Sequence, residues 1–196
     1  DSFTFMVSDG ELTDTDTVTL SITAVNDAPV LASVSDVSFN EDDSGSISLS
    51  ASDIDEDNLT FSITEGSDIT PALSGSDITF SAPADFNGSE AFTITVSDGE
   101  LSDSQSITVT VNAVNDTPIA TTGLTGDTNE DQSVVVTLSG SDIDGDALSF
   151  SLDTDASNGS VVVDGSVATY TPSDNFNGSD SFTFMVSDGE LTDTDT

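Results

Sequence analysis

Residues 1–17, DSFTFMVSDGELTDTDT, recur letter for letter as residues 180–196, an offset of 179 residues. Other landmarks recur at half that distance. Asn26-Asp27 returns as Asn115-Asp116, Asn40-Glu41-Asp42 as Asn129-Glu130-Asp131, and Asp53-Ile54-Asp55 as Asp142-Ile143-Asp144, each 89 residues on. Phe86-Asn87-Gly88 returns as Phe176-Asn177-Gly178, 90 residues on. A repeat of domain size dictates a tandem array of similar units, each with its own small core. Residues 1–28 read as the C-terminal strands of one unit, 29–117 as a complete unit and 118–196 as a unit without its last strand. No counterpart of Val18–Thr23 follows Thr196, so the expectation is an internal stretch of a longer array.

Within each unit apolar residues alternate with Ser and Thr. Phe3, Phe5 and Val7 form one run and Val18, Leu20 and Ile22 the next; Phe92, Ile94, Val96 and then Ile107, Val109, Val111 repeat them. Side chains of a strand point alternately to its two faces, so this pattern predicts strands with one face in a core and one in water. Asp9-Gly10, Asp98-Gly99, Asn87-Gly88 and Asn158-Gly159 supply turn signals, and no segment sustains a helical period. Roughly seven short strands in ~90 residues predict an all-β, immunoglobulin-like sandwich. Pro29 and Pro118 follow short connections, and the array is expected to form a rod.

Composition then narrows function. The chain has 38 acidic residues and no Lys, Arg or His, which excludes nucleic acid and anionic lipid surfaces as partners. No apolar run reaches transmembrane length, so direct membrane insertion is not expected of this segment. Disorder is the other reading of such acidity, but 34% hydrophobic residues in regular alternation argue for folding. Small domains commonly need a staple. The absence of Cys excludes disulfides and the absence of Lys excludes isopeptide links, leaving metal held by carboxylates. Nucleophilic triads and ordinary zinc sites lack their bases and ligands, and acids repeated at each unit fit a scaffold better than one catalytic cleft. The chain reads as a non-enzyme.

Calcium takes six to eight oxygen ligands. The pairs Asp53/Asp55 and Asp142/Asp144 place carboxylates close together in a loop, with Ile54 and Ile143 expected to turn into the core. Asp142-Ile143-Asp144-Gly145-Asp146 opens like an EF-hand loop, but Ala147 stands where that loop needs Gly. Scattered acids such as Asp14, Asp16, Asp103 and Asp153 read as solvated surface.

Val25-Asn26-Asp27-Ala28-Pro29, Val114-Asn115-Asp116-Thr117-Pro118, Ser38-Phe39-Asn40-Glu41, Ala51-Ser52-Asp53-Ile54-Asp55 and Val96-Ser97-Asp98-Gly99 together resemble the cadherin repeat. The likeness is greater to the cadherin-like tandem repeats of bacterial surface proteins and adhesins. That resemblance implies Ca2+ at the junctions between repeats. One junction would use Glu41, Asn115, Asp116, Asp142, Asp144 and Asp188; another Asn26, Asp27, Asp53, Asp55 and Asp98; Glu130 would serve a third. The cadherin acidic triplet before the sixth strand is missing, with only Asp85 and Asp174 near its place. The expected role is a structural extender of a long surface or secreted adhesin, extracellular, with neighbouring repeats of the same chain as partners. Two alternatives stand beside it. One is a filament of like chains joined by strand exchange. The other is carbohydrate or homophilic recognition, which a single Tyr and no Trp equip poorly.

Overall fold

The computed structural model describes residues 1–196, and every regular element in it is a β-strand. The chain forms two units, Asp1–Pro83 with Gly88–Val111, and Ala84–Asn87 with Asn112–Thr196.

Unit 1 begins with a hairpin of β1 (Ser2–Ser8) and β2 (Thr13–Thr19), paired antiparallel from Ser2↔Thr19 to Ser8↔Thr13. Its turn is set by Asp9, whose Oδ1 accepts the N–H groups of Glu11 and Leu12 at 2.9 and 2.7 Å. Gly10 supplies the left-handed φ of +98° that the turn demands. Alternation predicted a buried face here, yet Phe3, Phe5 and Val7 are exposed. The hairpin forms a two-stranded sheet of its own, and without an opposing sheet the apolar side of a strand stays in water.

The rest of unit 1 is a sandwich. Its strands are β3 (Val30–Leu31), β4 (Val37–Asn40), β5 (Ser44–Ser48), β6 (Ala51–Ser52), β7 (Thr60–Ile63), β8 (Thr70–Ser74), β9 (Asp77–Ser81), β10 (Gly88–Ser97) and β11 (Ser102–Asn112). They assemble as β4-β11-β10-β7, β5-β9-β8 and the short pair β3-β6. Alternation holds here: Phe92, Ile94 and Val96 of β10, Ile107, Val109 and Val111 of β11, and Ile78 and Phe80 of β9 are all buried. Rings of Phe80 and Phe92 meet between the two larger sheets, 5.4 Å apart and tilted by 58°, a favourable aromatic geometry. The tight β8–β9 turn uses Gly75 at φ +66°. Asn87-Gly88, read as a turn, instead leads into the start of β10.

Strand β3 is too short to anchor itself by ladder bonds, and side chains of β11 compensate. Asp103 Oδ2 accepts the Leu31 N–H at 2.9 Å, and Gln105 pairs with both the N–H and the C=O of Val34. Asp103 is therefore no solvated surface acid. A strand edge needs acceptors for its N–H groups, and a half-buried carboxylate provides one.

Unit 2 repeats the plan with β12 (Ile119–Ala120), β13 (Val134–Thr137), β14 (Gly140–Ser141), β15 (Ser149–Thr154), β16 (Gly159–Asp164), β17 (Val167–Pro172), β18 (Thr183–Ser187) and β19 (Thr192–Asp195). Its sheets are β15-β18-β19, β13-β17-β16 and β12-β14. Ala120, Leu138, Val161, Ala168, Phe184 and Val186 form the core. Asp193 Oδ2 accepts the Ala120 N–H at 2.9 Å, the same stitch as Asp103 to Leu31.

Candidate metal centre

The acidic loop of unit 1 follows β6. Asp53 Oδ1 accepts the N–H of Asp55 at 2.8 Å and that of Asp57 at 3.5 Å, so the backbone curls around the first carboxylate. Glu56 takes φ +62° to complete the curl, and Gly145 does the same at +79° in unit 2. There Asp142 Oδ1 accepts the Asp146 N–H at 3.2 Å. The isoleucines between the acids do not turn inward: Ile54 is 79% exposed and Ile143 63%. Strand alternation does not apply to a loop wound about its own carboxylates, so these side chains are thrown outward.

The winding brings three acids together, not two. Asp53, Asp55 and Asp57 each present a carboxylate oxygen within 4.8 Å of the others, as do Asp142, Asp144 and Asp146. Asp57 and Asp146 escape a search for paired acids, although the DxDxD spacing is visible in the sequence. No Lys, Arg or His is present to neutralise either group. Like charges ~4 Å apart repel by ~1 kcal/mol in bulk water and ~4 kcal/mol near a protein surface. One oxygen in each cluster, Asp53 Oδ2 and Asp142 Oδ2, is buried with no hydrogen-bond partner. An orphaned buried carboxylate oxygen is costly unless a cation meets it. Oxygens held at ~2.4 Å by one calcium ion can stand no more than ~4.8 Å apart. The all-oxygen donor set and its spacing fit a hard divalent cation.

The linker residues join their clusters. Asp27 N–H donates to Asp55 Oδ2 at 2.8 Å, and Asp116 N–H to Asp144 Oδ2 at 2.8 Å. Asn26 Nδ2 donates to Asp98 Oδ2 at 3.0 Å, and Asn115 Nδ2 to Asp188 Oδ2 at 2.9 Å. The other oxygen of Asp98 caps the N–H groups of Glu100 and Leu101, both at 2.7 Å. Asp188 caps Glu190 and Leu191 at 2.6 and 2.7 Å. Both carboxyls are held below the usual range, Asp98 chiefly by the Leu101 N–H and Asp188 chiefly by the Asn115 amide. Asn26, Asp27, Asp53, Asp55 and Asp98 thus form one connected set in unit 1. Asn115, Asp116, Asp142, Asp144 and Asp188 form its counterpart in unit 2. Glu41 follows β4 and is buried, whereas Glu130 is exposed.

The chain belongs to the bacterial Ig domain family, which matches residues 26–111 and again 115–196. No curated protein matches it significantly. Among solved structures, human protocadherin-24 EC1-2 (form II) is 15% identical, with a TM-score of 0.55, over 87% of this chain and 94% of that one. The ectodomain of human desmocollin-1 is 19% identical over 95% of this chain and 39% of that one, with a TM-score of 0.42. An endo-fucoidan hydrolase of glycoside hydrolase family 107 is 22% identical with a TM-score of 0.37, and this chain spans about a third of its length, covering 100% of itself and 33% of the hydrolase. The cadherin likeness concerns the fold. The chain is thus a tandem of two Ig-like β-sandwich domains of that family. No helix is long and apolar enough to cross a membrane.

Proposed function

We propose that the chain is a spacer of a long surface adhesin, stiffened by Ca2+ at the junctions between its domains. One observation carries this reading: each unit buries an unpartnered carboxylate oxygen, Asp53 Oδ2 or Asp142 Oδ2, inside a three-acid cluster. Asp53, Asp55 and Asp57 with the linker residues Asn26 and Asp27 would hold one ion. Asp142, Asp144 and Asp146 with Asn115 and Asp116 would hold the next. In the arrangement that the cadherin resemblance implies, Glu41 and Glu130 are the ligands a domain contributes to the junction after it. Asp98 and Asp188 fix the linker asparagines.

The ion supplies positive charge that this sequence otherwise lacks. Without it the acids repel and loosen the linker segment bonded to them. An ion that binds only the folded state adds ~2.7 kcal/mol at a concentration a hundredfold above its Kd. A gain of that size raises the Tm of a domain of this length by roughly 10–20 °C. Calorimetry of the chain in calcium and then in excess chelator tests the proposal. The expected result is a higher Tm in calcium, lost in the double variant Asp53→Asn, Asp142→Asn. Equal melting in calcium and in chelator would sink it.

A further inference from the structure

The sheet β4-β11-β10-β7 turns one side to the core and the other to water. From Ser89 to Ser97 and from Ser102 to Thr110, every position on the water side is Ser, Thr or Ala. Thr95 stands between Ser104 of β11 and Ser62 of β7, and Thr93 pairs with Ser106. The same two strands do carry acids, but on the other side. Glu90 accepts the N–H groups of Ser67 and Asp68 at 3.0 and 2.8 Å, and Asp103 accepts that of Leu31. Asp36 lies at the margin before β4, its Oδ1 accepting the Thr108 N–H at 2.7 Å. A chain whose only charged side chains are acids thus keeps this face neutral and crowds charge into loops such as 53–57. The pattern recurs in unit 2, where the outward residues of β18 and β19, from Thr183 to Ser187 and Thr192 to Thr194, are also uncharged.

We propose that this hydroxyl face is a docking surface and that its occupant is the same face of a second copy of the chain. Solubility alone does not explain the pattern, because acids serve it well. Two copies with a formal charge of −38 repel wherever their acidic surfaces meet. At the neutral face they approach without setting like charges against each other. A hydroxyl both donates and accepts, so two such faces satisfy each other's hydrogen bonds when they meet. The contact is therefore isologous, one patch used twice about a two-fold axis.

Its size sets its strength. Strands of ten and eleven residues with two shorter neighbours, at ~3.3 Å per residue and ~4.8 Å between strands, span roughly 450 Å2. Pairing two such faces covers roughly 900 Å2, below the ~1,200–2,000 Å2 of stable complexes, so a single face makes a weak contact. The counterpart in unit 2 gives the chain a second one, and tethered contacts bind more tightly than either alone.

Sedimentation of the 196-residue chain in calcium, at rising concentration and in low and high salt, tests the proposal. The mean mass should rise above the 20.0 kDa of one chain, and salt should favour association by screening the charge of the loops. The variant Ser104→Asp, Ser106→Asp puts two acids on the face and should weaken association by on the order of tenfold or more. The variant Ser46→Asp, Thr79→Asp puts the same charge on the outer side of the sheet β5-β9-β8 and should associate like the parent chain. Circular dichroism checks that both variants fold, and neither touches the acidic clusters, so lost calcium binding does not imitate the result. A single-chain mass at every concentration and salt overturns the proposal. Equal association of all three chains, equal weakening in both variants, or dissociation by salt overturns it as well.

Discussion

Two stretches of this protein have one sequence and two environments. Residues 1–17 and 180–196 are identical, and each forms the same hairpin with the same Asp-capped turn. Yet Phe5 is 49% exposed while its twin Phe184 is 2% exposed, and Val7 is exposed while Val186 is fully buried. The local sequence fixes pairing and turn; burial comes from the opposing sheet, which only the second hairpin has.

The identical hairpins offer the sharpest way to break this comparison. Phe184→Ala should destabilise unit 2 by ~3–5 kcal/mol, because it empties a core position. Phe5→Ala removes the same atoms from the same sequence and should cost far less, ~0.5 kcal/mol, since about half of its surface already lies in water. Urea unfolding of both variants checks the difference. Similar losses would mean that the first hairpin has a packing partner after all.

The side-chain stitch of β11 to β3 gives a smaller test. Asp103→Ala leaves the Leu31 N–H without its acceptor and should cost ~1–3 kcal/mol. Asp14, its counterpart in the first hairpin, caps only the adjacent Thr15 N–H, so Asp14→Ala should be silent in the same unfolding curves. A silent Asp103→Ala would return that residue to the solvated acids. Asp195 sharpens the point from unit 2. It replaces Gln105, whose amide satisfies both backbone groups of Val34, and its own Oδ2 is buried without a partner.

How far the sequence could be read follows from which forces are local. Period-two alternation located the core of unit 1, since residues such as Ile94 and Val109 obey strand geometry wherever a second sheet exists. It failed for Phe3 and Phe5, because a single strand carries no record of whether that sheet is present. It failed again at Ile54 and Ile143, where Asp53 and Asp142 bind nearby N–H groups and replace strand geometry with a wound loop. That winding also recruits Asp57 and Asp146, each two residues beyond the acidic pair that the spacing singled out. Asp103 was illegible for a different reason. Its acceptor role depends on Leu31, 72 residues away, and no local pattern encodes that distance.

The three Asp-Gly loops give the smallest and most specific test. Asp9, Asp98 and Asp188 all have carboxyls below the ordinary value of 3.8, but the leading cause differs. For Asp9 and Asp98 it is a backbone N–H of the turn, from Leu12 and Leu101; for Asp188 it is the Asn115 side-chain amide. Asn115→Ala, measured in chelator by carboxyl NMR titration, should therefore raise the Asp188 pKa clearly. Asn26→Ala should move Asp98 less, because the turn N–H groups still hold it down. A group whose folded pKa lies below its unfolded value stabilises the fold above the unfolded pKa. Its contribution begins to fade as the pH falls below ~4 and is gone once the pH is under the folded value. Acid unfolding should accordingly start at higher pH in Asn115→Ala than in the parent chain, with a smaller displacement in Asn26→Ala. Equal displacements in both would show that the linker asparagines contribute alike and that the turn N–H groups do not dominate at Asp98.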